Sequence, residues 1–363
     1  MQPYSLISFF SAILGLLLSL SSAYAQDPSK LIDETSYQTT LSKLSGAQPI
    51  DGENSIDSRF TPEDLSRVRT FLAQELFEAG YQQVVVQGFS RKFKSKFRDS
   101  EGRNISVSIP GKTRPEEIII IGAHYDSAYR DVPGANDNGT GTAAVLELAK
   151  AFKASGFQAD RTIKFVFFDA EEVGIIGSQA FFSEHVKRIH RGDIAVPLFI
   201  NLDMLGNSNL EGGKHLLFNI DSSKGLIEFV KSMNTKGSFN FEMHWWGGFV
   251  SDNLSARDFE IPNFSISEWA VDKTGKETRD YKYYHSPADT IDKVNIDYAL
   301  KLTAFAAALV KAASQSSEIW NVHDIDISRH SRLAANTLDR LNAQKKVLGP
   351  TSPKTFLCGS TLR

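Results

Sequence analysis

Two periods of apolar residues run through this chain. Leu65, Val68, Phe71, Leu72, Leu76 and Phe77 recur at helical spacing behind Thr61-Pro62-Glu63-Asp64, which offers an N-cap, a proline at the first helical position and acids in the first turn. Gly80 closes that run, so an amphipathic helix is expected over 62–79. Short β-type runs follow at 81–89, 104–109 and 117–122, separated by polar and glycine-containing turns. Ile118–Ile121 is apolar at four successive positions, which suits a central strand covered on both faces.

From there strands and helices alternate. A polar loop through Pro133, Gly134 and Gly141 leads into a helix over 142–154 whose apolar face is Ala144, Val145, Leu148, Ala149 and Phe152. Strands are expected at 163–168, 196–202, 216–220 and 263–267, and helices at 178–190, 225–233 and 295–313. Residues 245–250 and 253–258 read as an aromatic-containing loop region, and 273–284 as a polar, tyrosine-rich surface loop. The strand–helix–strand rhythm predicts an α/β fold of the doubly wound kind, with helices on both sides of a mostly parallel sheet.

The ends fit this rhythm less well. Ile7–Leu20 is an apolar run before Ala23-Tyr24-Ala25, the pattern of a cleaved export signal over 1–25, although no Lys or Arg precedes it. No later stretch is long and apolar enough to span a bilayer. Residues 26–60 are expected as an N-terminal arm with a short helix near 37–44. The part after 314 is expected as a tail, 315–363, with one amphipathic helix over 328–343. A single main domain, 61–314, remains.

Composition changes the picture little. The chain has 363 residues, 41% hydrophobic and 23% charged, enough for a large core. A formal net charge of -3 without a long basic run gives no reason to expect nucleic acid or an anionic membrane as partner. Cys358 is the one cysteine, so no disulfide forms within the chain.

The candidate chemistry lies where apolar strands stop. Phe165–Phe168 runs into Asp169, Glu171 and Glu172; the isoleucine strand runs into His124 and Asp126; another ends at Asp203. Ligand sites of open α/β sheets gather at the carboxyl ends of strands. Adding Asp137 and His285 gives two imidazoles and several carboxylates, a set that a divalent cation would neutralise, and donors of N and O type without thiolate favour zinc, with cobalt or manganese as alternatives at the same site. Taken singly, each residue also suits a plainer role: Asp137 an Asx turn, Asp203 a cap, His285 the surface.

Five segments, GAHYDS at 122–127, PGANDNGTG at 133–141, FFDAEEVGIIGS at 167–178, NLDM at 201–204 and YHSPADT at 284–290, together resemble the M28 family of zinc aminopeptidases, over roughly 61–314. The resemblance implies a three-layer α/β/α domain of the zinc-exopeptidase kind. It also implies two zinc ions bridged by Asp137, with His124 and Asp203 on one and Glu172 and His285 on the other. Glu171 would be the general base, Asp126 would orient His124, and a cis peptide would follow the bridging aspartate. Peptides with a free N-terminus would be the substrates, and Trp245, Trp246, Asp252 and Tyr284 are candidates for binding them. Two alternatives share the scaffold: a glutaminyl cyclase with one zinc, and a binding domain without catalysis.

Overall fold

The computed structural model describes residues 25–91, 100–207, 215–219, 224–245, 251–268, 270–271, 277–278, 281–318, 320 and 354–357. Residues 1–24 of the expected export signal, the expected helix at 328–343 and Cys358 lie outside them.

A nine-stranded mixed sheet organises the molecule. Its strands are β1 (Gln83–Arg91), β2 (Ser100–Ile109), β3 (Arg114–His124), β4 (Arg161–Phe168), β5 (Ala195–Leu202), β6 (His215–Asn219), β7 (Glu242–Trp245), β8 (Asn263–Ser267) and, after a two-stranded ribbon of β9 (Ala270–Val271) and β10 (Glu277–Thr278), β11 (Lys354–Leu357). The order across the sheet is β11-β1-β2-β4-β3-β5-β8-β6-β7. The central four, β4, β3, β5 and β8, run parallel, and antiparallel strands flank them on both sides. The register pairs Ile119 with Ile163 and Leu198, and it sets His124 opposite Phe168, so the ends of β3 and β4 stop level.

The helices are α1 (Glu34–Leu44), α2 (Pro62–Glu78), α3 (Gly141–Ala154), α4 (Ile176–His190), α5 (Lys224–Lys236), α6 (Asn253–Asp258) and α7 (Ile296–Gln315). α2 begins as expected, with the Thr61 side chain accepting from the Asp64 N–H, and Gly80 follows it at φ 94°. Period-two alternation on β3 divides the core. Ile119 and Ile121 join α3 and α7 on one face; Ile118 and Ile120 join Phe168, Phe181, Phe182 and Phe199 on the other. Each fully buried side chain of this size contributes about 1.5–3 kcal/mol by leaving water, and the rings of Phe181 and Phe182 meet edge to face at 5.2 Å.

Three segments differ from expectation. Asn253–Asp258 is a helix, not a loop: six residues are too few to show a period, yet Ala256 seats it on the second core cluster. Residues 26–60 are packed rather than armlike, since Tyr37, Leu41, Leu44, Ile50 and Ile56 belong to the main core and the Tyr37 hydroxyl donates to the Thr140 carbonyl at 3.0 Å. Lys354–Leu357, within the expected helical tail, pairs antiparallel with β1 as an outer strand, and four residues are again too short a run to reveal a period.

Candidate metal centre

Every candidate ligand stands at the carboxyl end of the parallel strands or in a loop folded over it. His124 ends β3, Glu171 and Glu172 follow β4, and Asp203 follows β5. Asp137 comes from the tight turn Ala135–Thr140 that leads into α3, and its peptide bond to Asn138 is cis. That turn is stapled to β5: the Asn138 side-chain amide donates to the Leu202 carbonyl at 2.9 Å, and its oxygen accepts from the Gly141 and Met204 N–H groups. A Cβ at Gly141 would lie 2.3 Å from that oxygen and 2.6 Å from Leu202 O, so only glycine lets the helix begin here. Ala170, Met204 and His285, which flank or form the site, all hold positive φ (60°, 55° and 52°), a conformation costing non-glycine residues about 1–2 kcal/mol each.

Two donor groups result, sharing Asp137. In one, His124 Nε2 lies 3.5 Å from Asp137 Oδ1 and 3.6 Å from Asp203 Oδ1. In the other, His285 Nε2 lies 3.1 Å from Asp137 Oδ2 and 3.0 Å from Glu172 Oε2. Ligands at about 2.0–2.2 Å from a tetrahedral zinc stand about 3.3–3.6 Å from one another. Asp137 Oδ2, Asp203 Oδ1, Glu172 Oε1 and His285 Nε2 are buried without a hydrogen-bond partner, an arrangement that is costly unless a cation takes up the lone pairs. Both triads can converge on an ion, and so can His124, Glu171 and Glu172, so the donor set fits metal.

The electrostatics show the same deficit of positive charge. Burial lifts Glu172 to about 8, with repulsion from Asp137 adding to the rise. Burial likewise pushes Glu171 well above the usual carboxylate range, and Glu172, Asp252 and Asp203 add to it against the pull of His124. For His285 burial acts downward, yet contact with Asp137 and Glu172 outweighs it and raises the imidazole to about 10. His124 is raised well above its ordinary value because its acidic neighbours overcome burial. A bound cation would meet the same demand for positive charge that raises these groups.

Asp126 sits behind this layer, fully buried. Its Oδ1 is 3.5 Å from His124 Nδ1, and its two oxygens accept from the N–H groups of Glu171 (3.0 Å) and Glu172 (3.3 Å). One carboxylate thus faces both the imidazole and the turn that presents the two glutamates, as ligating histidines commonly require. Asp169 turns away and accepts from the Arg103 N–H at 2.9 Å.

The proposed substrate residues are only partly placed. Trp246 lies outside the described residues, and Trp245 ends β7. Tyr284, 53% exposed, stacks on His285 at 3.7 Å between ring centroids. Asp252 is fully buried; burial lifts it to about 7, against the pull of His124 and Ser178, and Asp203 and Asp126 push it further.

Three further residues were not legible as part of the site. Tyr129, 45% exposed, stands edge-on to His285 at 6.0 Å, with only its place in the loop after β3 as a signal. Arg59 is wholly buried and donates to the carbonyls of Tyr125, Leu44, Pro133 and Gly134. Asp289 accepts from the N–H groups of Asn136 (2.9 Å) and Asp137 (3.0 Å); YHSPADT contains it, but nothing in its spacing says what it would hold.

The chain is similar to proteins already known. A protein named probable leucine aminopeptidase from Arthroderma otae is 31% identical over 223 residues, 58% of this chain and 58% of that relative. The chain therefore spans little more than half the length of that curated relative. Among solved structures, a zinc aminopeptidase from Bacillus subtilis superposes with a TM-score of 0.64 at 18% identity, covering 81% of this chain and 98% of that one. A glutaminyl cyclase from Fimbriiglobus ruber superposes at 0.61 and 18%, covering 77% and 95%. At such identities the superpositions establish the three-layer fold alone. The model of peptidase family M28 matches residues 104–310, a span containing all five ligand-type side chains, and this chain belongs to that family.

Proposed function

We propose that the chain is an exported aminopeptidase that holds two zinc ions and removes N-terminal residues from peptides. One observation carries the reading: His124 with Asp203, and Glu172 with His285, form two donor groups that meet on the two oxygens of Asp137. Bound there, zinc supplies a lowered pKa for water and polarisation of the scissile carbonyl.

The protein's own groups do the rest. Glu171 stands next to Glu172 but outside the two triads that share Asp137, which leaves its carboxylate to take a proton from the attacking water and return it to the leaving amine. Asp126 holds the His124 ring and the Glu171–Glu172 turn in a common frame. Tyr284, stacked on His285, and Asp252, buried near Glu171 and Asp203, would recognise the N-terminal residue of a peptide. Export rests on the apolar run before Ala25.

The solved cyclases of this fold make cyclisation of N-terminal glutamine the second reading. The chain lacking residues 1–25 would be assayed on an aminoacyl chromogenic substrate, on the same substrate with a blocked amine, and on a glutaminyl peptide, with zinc content measured alongside. Hydrolysis that requires the free amine, stops with chelator and accompanies two zinc ions per chain is expected. Cyclisation without hydrolysis, at one zinc per chain, would replace the proposal with the second reading.

A further inference from the structure

Three consecutive residues of the turn that carries Asp137 direct their N–H groups at one residue, Asp289. Ala135 donates to its backbone carbonyl at 3.0 Å, Asn136 to its Oδ1 at 2.9 Å and Asp137 to its Oδ2 at 3.0 Å. Successive amides aimed at a single acid form a nest, and a full carboxylate is what such a nest holds best. Asp289 is completely buried, and the Tyr281 hydroxyl donates to the same Oδ1. On the other side, the Arg59 guanidinium takes the carbonyls of Pro133 and Gly134 and reaches Asp137 O at 3.4 Å. The turn thus has its donors on an anion and its acceptors on a cation.

Asp289 is also four residues beyond His285. The stretch between them is a compact turn, with Tyr284 N–H on Tyr281 O, Ser286 N–H on Tyr283 O and Asp289 N–H on Ser286 O, all at 3.0–3.1 Å. One short turn therefore carries an imidazole of the centre and, on its next bend, the anchor of the carboxylate that faces it. Asp137 and His285 are 148 residues apart in sequence, and His285 Nε2 still stands 3.1 Å from Asp137 Oδ2. The Asn136 side chain adds contacts to Glu268 and Gly206 at 2.9 and 2.8 Å, but Asp289 is the tie that joins the turn to the segment carrying His285.

We infer that Asp289 is a positioning residue that sets the distance between the bridging carboxylate of Asp137 and the imidazole of His285, and through it the affinity for the metal. Resting on the metal-centre reading above, the inference adds a residue that touches neither metal nor substrate. Groups that orient metal ligands typically change affinity by about 10–100-fold when replaced.

Zinc affinity of the full chain would be measured by competition with a chelating indicator for the wild type, D289N, Y281F and H285A, at a temperature where each is folded by circular dichroism. D289N keeps the size but turns an amide toward an N–H, and it is expected to bind zinc at least tenfold more weakly. Y281F leaves the three backbone contacts in place, removes one hydrogen bond to the carboxylate, and is expected to lose about threefold. Wild-type affinity in D289N overturns the inference. If D289N does not fold, Y281F decides in its place, and unchanged affinity there overturns it equally. A wild type that binds no zinc would instead overturn the metal-centre reading, and this inference with it.

Discussion

The middle of the parallel sheet and its carboxyl edge are made from the same strands and obey opposite rules. In the middle, Ile118–Ile121 and Phe165–Phe168 pack among aromatic and aliphatic neighbours. Three residues later the same strands deliver His124 and Glu171, and β5 delivers Asp203 directly after its last residue, into a space where buried oxygens and nitrogens lack partners. Such a rim would disrupt a fold built on it alone. It persists because the apolar middle supplies the stability, and because loops clamped by Arg59, Asn138 and Asp126 hold the acids at 3.0–3.6 Å from the imidazoles.

That division predicts that damage at the two ends is separable. The largest effect is expected at the rim: Glu171→Gln should lower kcat by about 10²–10⁴-fold, as loss of a general base does, with zinc content and melting temperature retained. Loss of zinc instead would mean that Glu171 and Glu172 exchange roles. In the middle, Phe168→Ala removes a fully buried ring and should cost about 3–5 kcal/mol in denaturant unfolding, while the protein that remains folded keeps its zinc affinity. A variant that lost zinc affinity while still folded would show that the sheet's interior and its rim are not independent.

The smallest effect sharpens the comparison most. Glu172 at about 8, Asp252 at about 7 and His285 at about 10 all hold protons more tightly in the folded chain than in the unfolded one. Groups raised in this way stabilise the fold below their unfolded pKa, and that contribution is lost as pH rises through the folded value. The metal-free protein should therefore melt lower at pH 8 than at pH 5, by a few degrees for each ~1–2 kcal/mol. Zinc, by replacing the protons, should flatten the dependence. An equal slope with and without zinc in differential scanning calorimetry would contradict the charge-deficient rim.

The middle was readable because its residues repeat. Four isoleucines in a row, or Leu65 to Phe77 at helical spacing, announce burial through many small contributions of one kind, and the observed elements begin within a few residues of the expected ones. The rim was readable only where acids and histidines interrupt such runs: His124, Glu171, Glu172 and Asp203 follow strands, and the structure brings them together with Asp137 and His285. What escaped were groups whose role is a contact with backbone. Arg59 binds carbonyls at the end of α1 and along the connection after β3, and Asp289 a set of amides, and neither partner set leaves a pattern near the residue itself. α6 escaped for a different reason, being shorter than two helical turns.

The position of Arg59 bears on how much of the chain's beginning can be removed. Proteolytic trimming from the N-terminus would first detach Gln26, whose N–H donates to Ser155 O, and then Asp27, which pairs with Lys311 at 2.9 Å. Past Tyr37 a cut would expose the face of α3 that Tyr37 and Leu41 cover. Past Arg59 it would strip the donor from the carbonyls of Tyr125, Pro133 and Gly134, the backbone on which Asp137 is hung. Any N-terminal removal that spares the centre is thereby confined to the residues ahead of α1, and a cut beyond Arg59 would yield a fragment that keeps every candidate ligand yet has lost the scaffold that aims them.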